Sequence, residues 1–91
     1  MSTFFIYPGM FEPHIKKGTM PMPQNLEDFN NEEYPHWAVF CTLFCSQPID
    51  VGDIQHNADI IGNLSLEEIK KVTIEDLTAK GLVYGNPNYI V

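Results

Sequence analysis

Two cysteines and three histidines are the residues that could support metal or nucleophilic chemistry. Cys41 and Cys45 are four residues apart, so a helix would place both thiols on one face, and His14, His36 and His56 could complete a metal site. Structural zinc ligands are usually paired closely on turns, whereas a Cys-x-x-x-Cys pair inside an apolar run is typical of buried small hydrophobic residues. We therefore predict no metal site and no cofactor.

A cysteine–histidine nucleophile is formally available from the same residues. The chain has no flanking glycine pattern, no oxyanion-hole signature and no orienting residue for such a pair, and it has no glycine-rich phosphate loop. The sequence therefore predicts a protein that is not an enzyme and has no catalytic residues.

The charge balance restricts the kind of partner. The 91 residues include five lysines, no arginine and twelve acidic residues, which gives a net charge of −7. Nucleic-acid binding draws much of its affinity from cations that neutralise phosphates, and arginine is the side chain best shaped to contact phosphate and guanine. These numbers favour a protein partner with a basic surface over nucleic acid. The alternative is that the charge only keeps a small protein in solution.

Four acidic residues form a negative patch ahead of the first predicted helix: Glu27, Asp28, Glu32 and Glu33. This patch is either a contact for a basic partner or a solvated loop, and the sequence leaves both open.

The first third of the chain is predicted to be irregular. Residues 4–7 resemble a short strand stopped by Pro8 and Gly9, and residues 8–25 hold four of the seven prolines, which predicts an extended arm. Met20 and Met22 are candidate arm contacts, because methionine suits docking. They either cover the core of their own chain or reach a second copy in a homodimer. With no secretory leader and no long apolar run, we predict a cytoplasmic protein with no membrane contact.

Three helices are predicted after the arm. The first begins at Pro35 and is apolar on nearly all sides, which indicates burial. The second is capped by Asp50 or Asp53, and Ser65 with Glu68 forms a capping box for the third. The predicted third helix runs from Leu66 to about Lys80, ends at Gly81, and turns a stripe toward the core: Leu66, Ile69, Thr73, Ile74 and Leu77. Residues 82–84 and 89–91, separated by a turn, are predicted to pair as a β-hairpin.

This arrangement resembles the winged-helix superfamily. The residues that match the superfamily pattern are Ile74, Leu77, Gly81, Leu82 and Val83, and the segment Ser65–Glu68 precedes them. The resemblance covers about residues 35–91 and implies an α+β fold of three helices with a C-terminal hairpin. Residues 1–91 would then form a single domain, with residues 1–34 as its strand and arm.

In winged-helix proteins the third helix usually enters the DNA major groove. Here its predicted outward face is Glu67, Glu68, Lys71, Val72, Glu75 and Thr78, and the predicted wing has no basic residue. Three acids and one lysine indicate a protein-binding face. We therefore expect a small acidic adaptor or regulator that acts through protein–protein interaction. Two alternatives stay open: a DNA-binding transcriptional regulator and an assembly subunit that uses the arm.

Overall fold

The structure, a computed structural model, describes residues 11–44 and 50–83. Two short 3-10 turns in the arm precede four α-helices, and we number only the α-helices. The turns are Glu12–His14 and Leu26–Asp28, and the helices are α1 (Pro35–Phe44), α2 (Val51–Gly62), α3 (Leu66–Lys71) and α4 (Ile74–Ala79).

The predicted α+β class with a C-terminal hairpin is wrong. Residues 11–44 and 50–83 contain helices and turns but no β-strand. Leu82 and Val83, predicted to begin the hairpin, follow α4 without forming a strand. The rest of the predicted hairpin, the predicted strand at residues 4–7, its turn at Pro8 and Gly9, and Cys45 lie outside the described residues.

Helix α1 confirms the prediction of a buried helix that begins at Pro35. Its ten residues include no acid and no lysine, and Thr42 is its only exposed side chain. Trp37 and Phe40 are one turn apart and stack with ring centroids 5.7 Å apart. Phe44 continues the row, 4.9 Å from Phe40 between ring centroids. Because this helix is apolar on almost every side, other parts of the chain must enclose it.

Helix α2 is also as predicted. Its N-cap is Asp50, whose carboxylate accepts a hydrogen bond from the backbone of Gly52 at 2.9 Å. Its apolar residues Ile54, Ala58 and Ile61 are all buried. Helix α1 packs against both α2 and α3.

The single third helix was predicted wrongly, because the chain breaks at Val72 and Thr73. The Ser65–Glu68 capping box is confirmed, but Thr73 and Asp76 form a second one that starts α4. A threonine followed three residues later by an acid offers the backbone a new helix start, which competes with continuing the first helix.

The break changes which side chains are buried. Ile69 and Leu77 lie in the core and Ile74 is partly buried, as the predicted stripe required. Leu66 and Thr73, also predicted to face the core, are exposed. Leu66 is the first residue of α3, and the side chain of Thr73 caps α4 instead of packing in the core. Each short helix thus contributes one buried residue four positions after its N-cap: Ile69 follows Ser65 in α3, and Leu77 follows Thr73 in α4.

Gly81 ends α4 as predicted, and it does so in a Schellman motif. Its φ of 107° lies in the left-handed region that favours glycine. The backbone N–H of Gly81 donates to the Thr78 carbonyl, and that of Leu82 donates to the Leu77 carbonyl, both at 3.0 Å. Leu77 and Leu82 are both buried, which supplies the apolar contact typical of this motif.

The arm packs against the end of α2 and against α1. Phe11 meets the Phe40 ring edge-on at 5.1 Å between centroids, and Ile15 and Met20 are buried in the same core. A Cβ atom on Gly62 would lie 2.1 Å from the carbonyl oxygen of Thr19. The arm backbone therefore rests directly on α2 at a position where only glycine fits.

None of the helices in the described ranges has the length and apolar character needed to cross a lipid bilayer.

The second capping box predicts that Thr73→Ala lowers the free energy of unfolding by about 1 kcal/mol, because the Asp76 backbone N–H loses its acceptor. Urea unfolding followed by circular dichroism measures the change. Thr73→Ser keeps the hydroxyl and is expected to stay near wild type. Equal stability of Thr73→Ala and wild type would contradict a cap at this position.

The contact at Gly62 predicts that Gly62→Ala destabilises the fold by about 1–3 kcal/mol and loosens the arm, because the added carbon displaces the Thr19 backbone. Gly52→Ala is the matched control in the same helix. Its Cβ would lie 3.4 Å from an Asp50 carboxylate oxygen, an ordinary contact, so we expect a neutral effect or a gain of up to about 1 kcal/mol. Urea unfolding and limited proteolysis of residues 11–34 distinguish the two variants.

Candidate functional site

The predicted interaction face is split between two helices. Glu67, Glu68 and Lys71 lie on α3, Val72 lies in the break, and Glu75 and Thr78 lie on α4. All are exposed except Val72, which is partly buried. The face is therefore not one helix surface. It is the outer side of a two-helix unit that spans residues 65–81.

A groove of about 520 Å³ lies between α3 and α4 on this unit, and we call it the α3–α4 groove. Three predicted face residues line it, namely Glu68, Lys71 and Val72. The other lining residues are Leu64, Asp76, Ala79 and Lys80. The lining combines three apolar residues, which we call the floor, with two acids and two lysines, which we call the rim.

Both acids of the rim are held by their own helix caps. The carboxylate of Glu68 accepts from the Ser65 backbone N–H at 2.9 Å, and that of Asp76 accepts from the Thr73 backbone N–H at 3.2 Å. Each carboxylate keeps a second oxygen for another donor. Capping therefore fixes the positions of the two negative charges at the rim.

The two lysines of the rim are not paired. Lys71 and Lys80 each lie four residues after an acid, in the orientation that favours a pair along a helix, yet neither forms an ion pair within residues 11–44 and 50–83. Lys80 still acts on Glu68 through space. The ammonium groups are therefore free to meet carboxylates from outside the chain.

The capping bonds also shift the acidity of Glu68. Hydrogen bonds from the backbone and then from the side chain of Ser65 lower the pKa of Glu68 below its usual value of 4.5, and Lys80 adds a smaller effect in the same direction. Partial desolvation opposes them. The rim acid therefore stays charged at neutral pH.

The two candidate arm contacts occupy different environments. Met20 is 2% exposed and belongs to the core, whereas Met22 is partly buried against it. Both line a second, wider groove of about 1130 Å³ between the arm and the end of α2. In this conformation the arm covers the core of its own chain. A tethered arm has an effective concentration on the order of millimolar at its seat, so exchange between copies needs comparable protein concentrations.

The residues considered for metal or nucleophilic chemistry are not brought together. Nε2 of His36 lies 2.7 Å from the Leu64 carbonyl, and Nε2 of His56 lies 2.8 Å from the Gly81 carbonyl. Cys41 is buried in the core and His14 is exposed in the arm. Within the described ranges, no three His, Cys, Asp or Glu side chains cluster as metal ligands would. The two histidines instead hold chain segments in place.

Asn57 is a structural polar residue that the sequence analysis missed. It is 0% exposed, and its amide both donates to the carbonyl of Val83 and accepts from its N–H, each at 3.0 Å. The carboxamide thus satisfies both backbone groups of one residue, as a neighbouring strand would. An asparagine between Ile54 and Ala58 on the inward side of a predicted helix was the available signal.

Comparisons of the chain with protein-family models, with curated proteins and with solved structures found no match. The resemblance to the winged-helix superfamily stays a prediction.

The pKa of Glu68 predicts how acid affects stability. Because the pKa is lowered by folding, the carboxylate stabilises the fold above the unfolded pKa, and this contribution is lost as the pH falls through 4.5 and then through the folded pKa. Glu68→Gln removes the contribution, so its stability should fall less steeply with acid than that of wild type. Urea unfolding across this pH range measures both slopes. Equal slopes would contradict the role of the capping carboxylate.

Proposed function

We propose that this chain is a small, non-enzymatic adaptor or regulatory protein that acts by binding a protein partner with a basic surface. One observation carries the proposal. Residues 18–66 contain seven of the twelve acids and none of the five lysines, so the net charge of the whole chain is concentrated there.

These acids are available at the surface. Six of the seven are exposed and Asp53 is partly buried; the exposed ones are Glu27, Asp28, Glu32, Glu33, Asp50 and Asp59. None of the seven forms an ion pair in the described parts of the chain. Exposed charges of one sign that form no ion pair attract an oppositely charged partner and accelerate its association. The same charges repel a polyanion, because nucleic-acid binding depends on cations.

The proposal locates the partner contact on residues 27–33 more than on the face predicted from the sequence. The two-helix unit of residues 65–81 that carries that face is nearly neutral, since Lys70, Lys71 and Lys80 offset three of its four acids. Glu67, Glu75 and Thr78 remain accessible to a partner, but they do not supply the charge asymmetry on which the proposal rests.

The test is affinity capture with the full chain, followed by binding measurements on the purified partner. Glu32→Gln/Glu33→Gln should slow association with the captured protein about three- to tenfold, and raised salt should weaken binding. Glu67→Gln/Glu75→Gln removes the same number of charges from the nearly neutral two-helix unit and is expected to have a smaller effect. Tight binding of duplex DNA at low salt, or an equal effect of the two pairs, would contradict the proposal.

A further inference from the structure

The charge of the two-helix unit at residues 65–81, which we call the α3–α4 unit, differs from that of residues 18–66. Residues 67–80 carry four acids and three lysines, whereas residues 18–66 carry seven acids and no lysine. Two copies that met through residues 18–66 would bring like charges together. Two copies that met through the α3–α4 unit would instead bring together charges of both signs. At physiological salt, charges more than about 8 Å from that contact are largely screened.

The rim of the α3–α4 groove is self-complementary. It presents two carboxylates, from Glu68 and Asp76, and two ammonium groups, from Lys71 and Lys80. Capping bonds hold both carboxylates in place, and neither lysine has an ion-pair partner among the described residues. A two-fold axis makes residue i of one copy meet residue j of the other and the reverse. The same four side chains can then form ion pairs in both directions.

The floor of the groove supplies apolar contact between the charges. Leu64, Val72 and Ala79 line it, and Ala79 is exposed with only a methyl group. A small residue at this point leaves room for another chain to approach closely. An interface with an apolar centre and a charged rim is the usual anatomy of protein association.

We propose that the α3–α4 groove is a docking surface for a second copy of this chain, arranged about a two-fold axis with Glu68 and Asp76 of each copy facing Lys71 and Lys80 of the other. The proposal is independent of the basic partner, because it uses a different surface. It leaves the acidic residues 27–33 of both copies exposed, so the dimer presents two acidic surfaces.

Sedimentation equilibrium of the full chain over a range of concentrations tests the proposal. The dissociation constant of the wild-type dimer is the reference. Ala79→Gln places a longer side chain on the groove floor and should weaken the dimer about tenfold or more, since each copy loses the close approach. Thr78→Gln is the matched control, because Thr78 is exposed on the same helix but does not line the groove.

Charge reversal separates local complementarity from net charge. Lys71→Glu/Lys80→Glu should abolish dimerisation, because all four rim charges then have one sign. Lys16→Glu/Lys17→Glu changes the net charge equally at exposed residues outside the groove and should leave most of the dimer intact. Circular dichroism confirms that each variant is folded before it is compared.

A wild-type chain that stays monomeric up to millimolar concentration would overturn the proposal. An equal loss of dimerisation in Lys71→Glu/Lys80→Glu and in Lys16→Glu/Lys17→Glu would show that net charge alone controls association. That result would overturn the proposal as well. Equal dimerisation of Ala79→Gln and Thr78→Gln would place the interface elsewhere.

Discussion

The enclosure of α1 is the constraint on which the rest of the fold depends. A helix with a single exposed side chain cannot lie on a surface, so the chain must cover it from several directions. Helices α2 and α3 cover part of it, and Phe11 of the arm closes over the stacked rings of Trp37 and Phe40. The arm is therefore a structural element of the core, even though its described residues, 11–34, contain no regular secondary structure longer than one turn.

Local sequence signals predicted the elements whose ends are fixed by adjacent residues. Pro35 marked the start of α1, Asp50 capped α2, and Ser65 with Glu68 capped α3. The break before α4 was missed because the apolar spacing continues through Thr73, and spacing alone does not reveal that a threonine side chain has turned to cap a new helix.

The hairpin was predicted because Leu82 and Val83 are residue types that favour strands. Their structure is decided by distant partners instead. Leu82 completes the end of α4 by packing near Leu77, and Val83 bonds to the side chain of Asn57, 26 positions earlier. The predicted face was drawn on one continuous helix, whereas the structure divides its residues between α3, the break and α4. The groove is lined by residues of α3, the break and α4 together with Leu64 and Lys80, a combination that no single-helix projection contains.

The two hydrogen bonds between Asn57 and Val83 also determine which substitutions the chain can accept at these positions during evolution. The carboxamide bonds to the N–H and carbonyl of residue 83, a pair that every amino acid except proline provides, and Val83 is 37% exposed. Position 83 can therefore take residue types other than proline without losing these two bonds. Asn57 cannot be replaced in the same way, because aspartate lacks the donor and glutamine is one carbon too long. In related chains we expect an asparagine at the position of Asn57, although it has no catalytic or binding role, and variable residue types at the position of Val83.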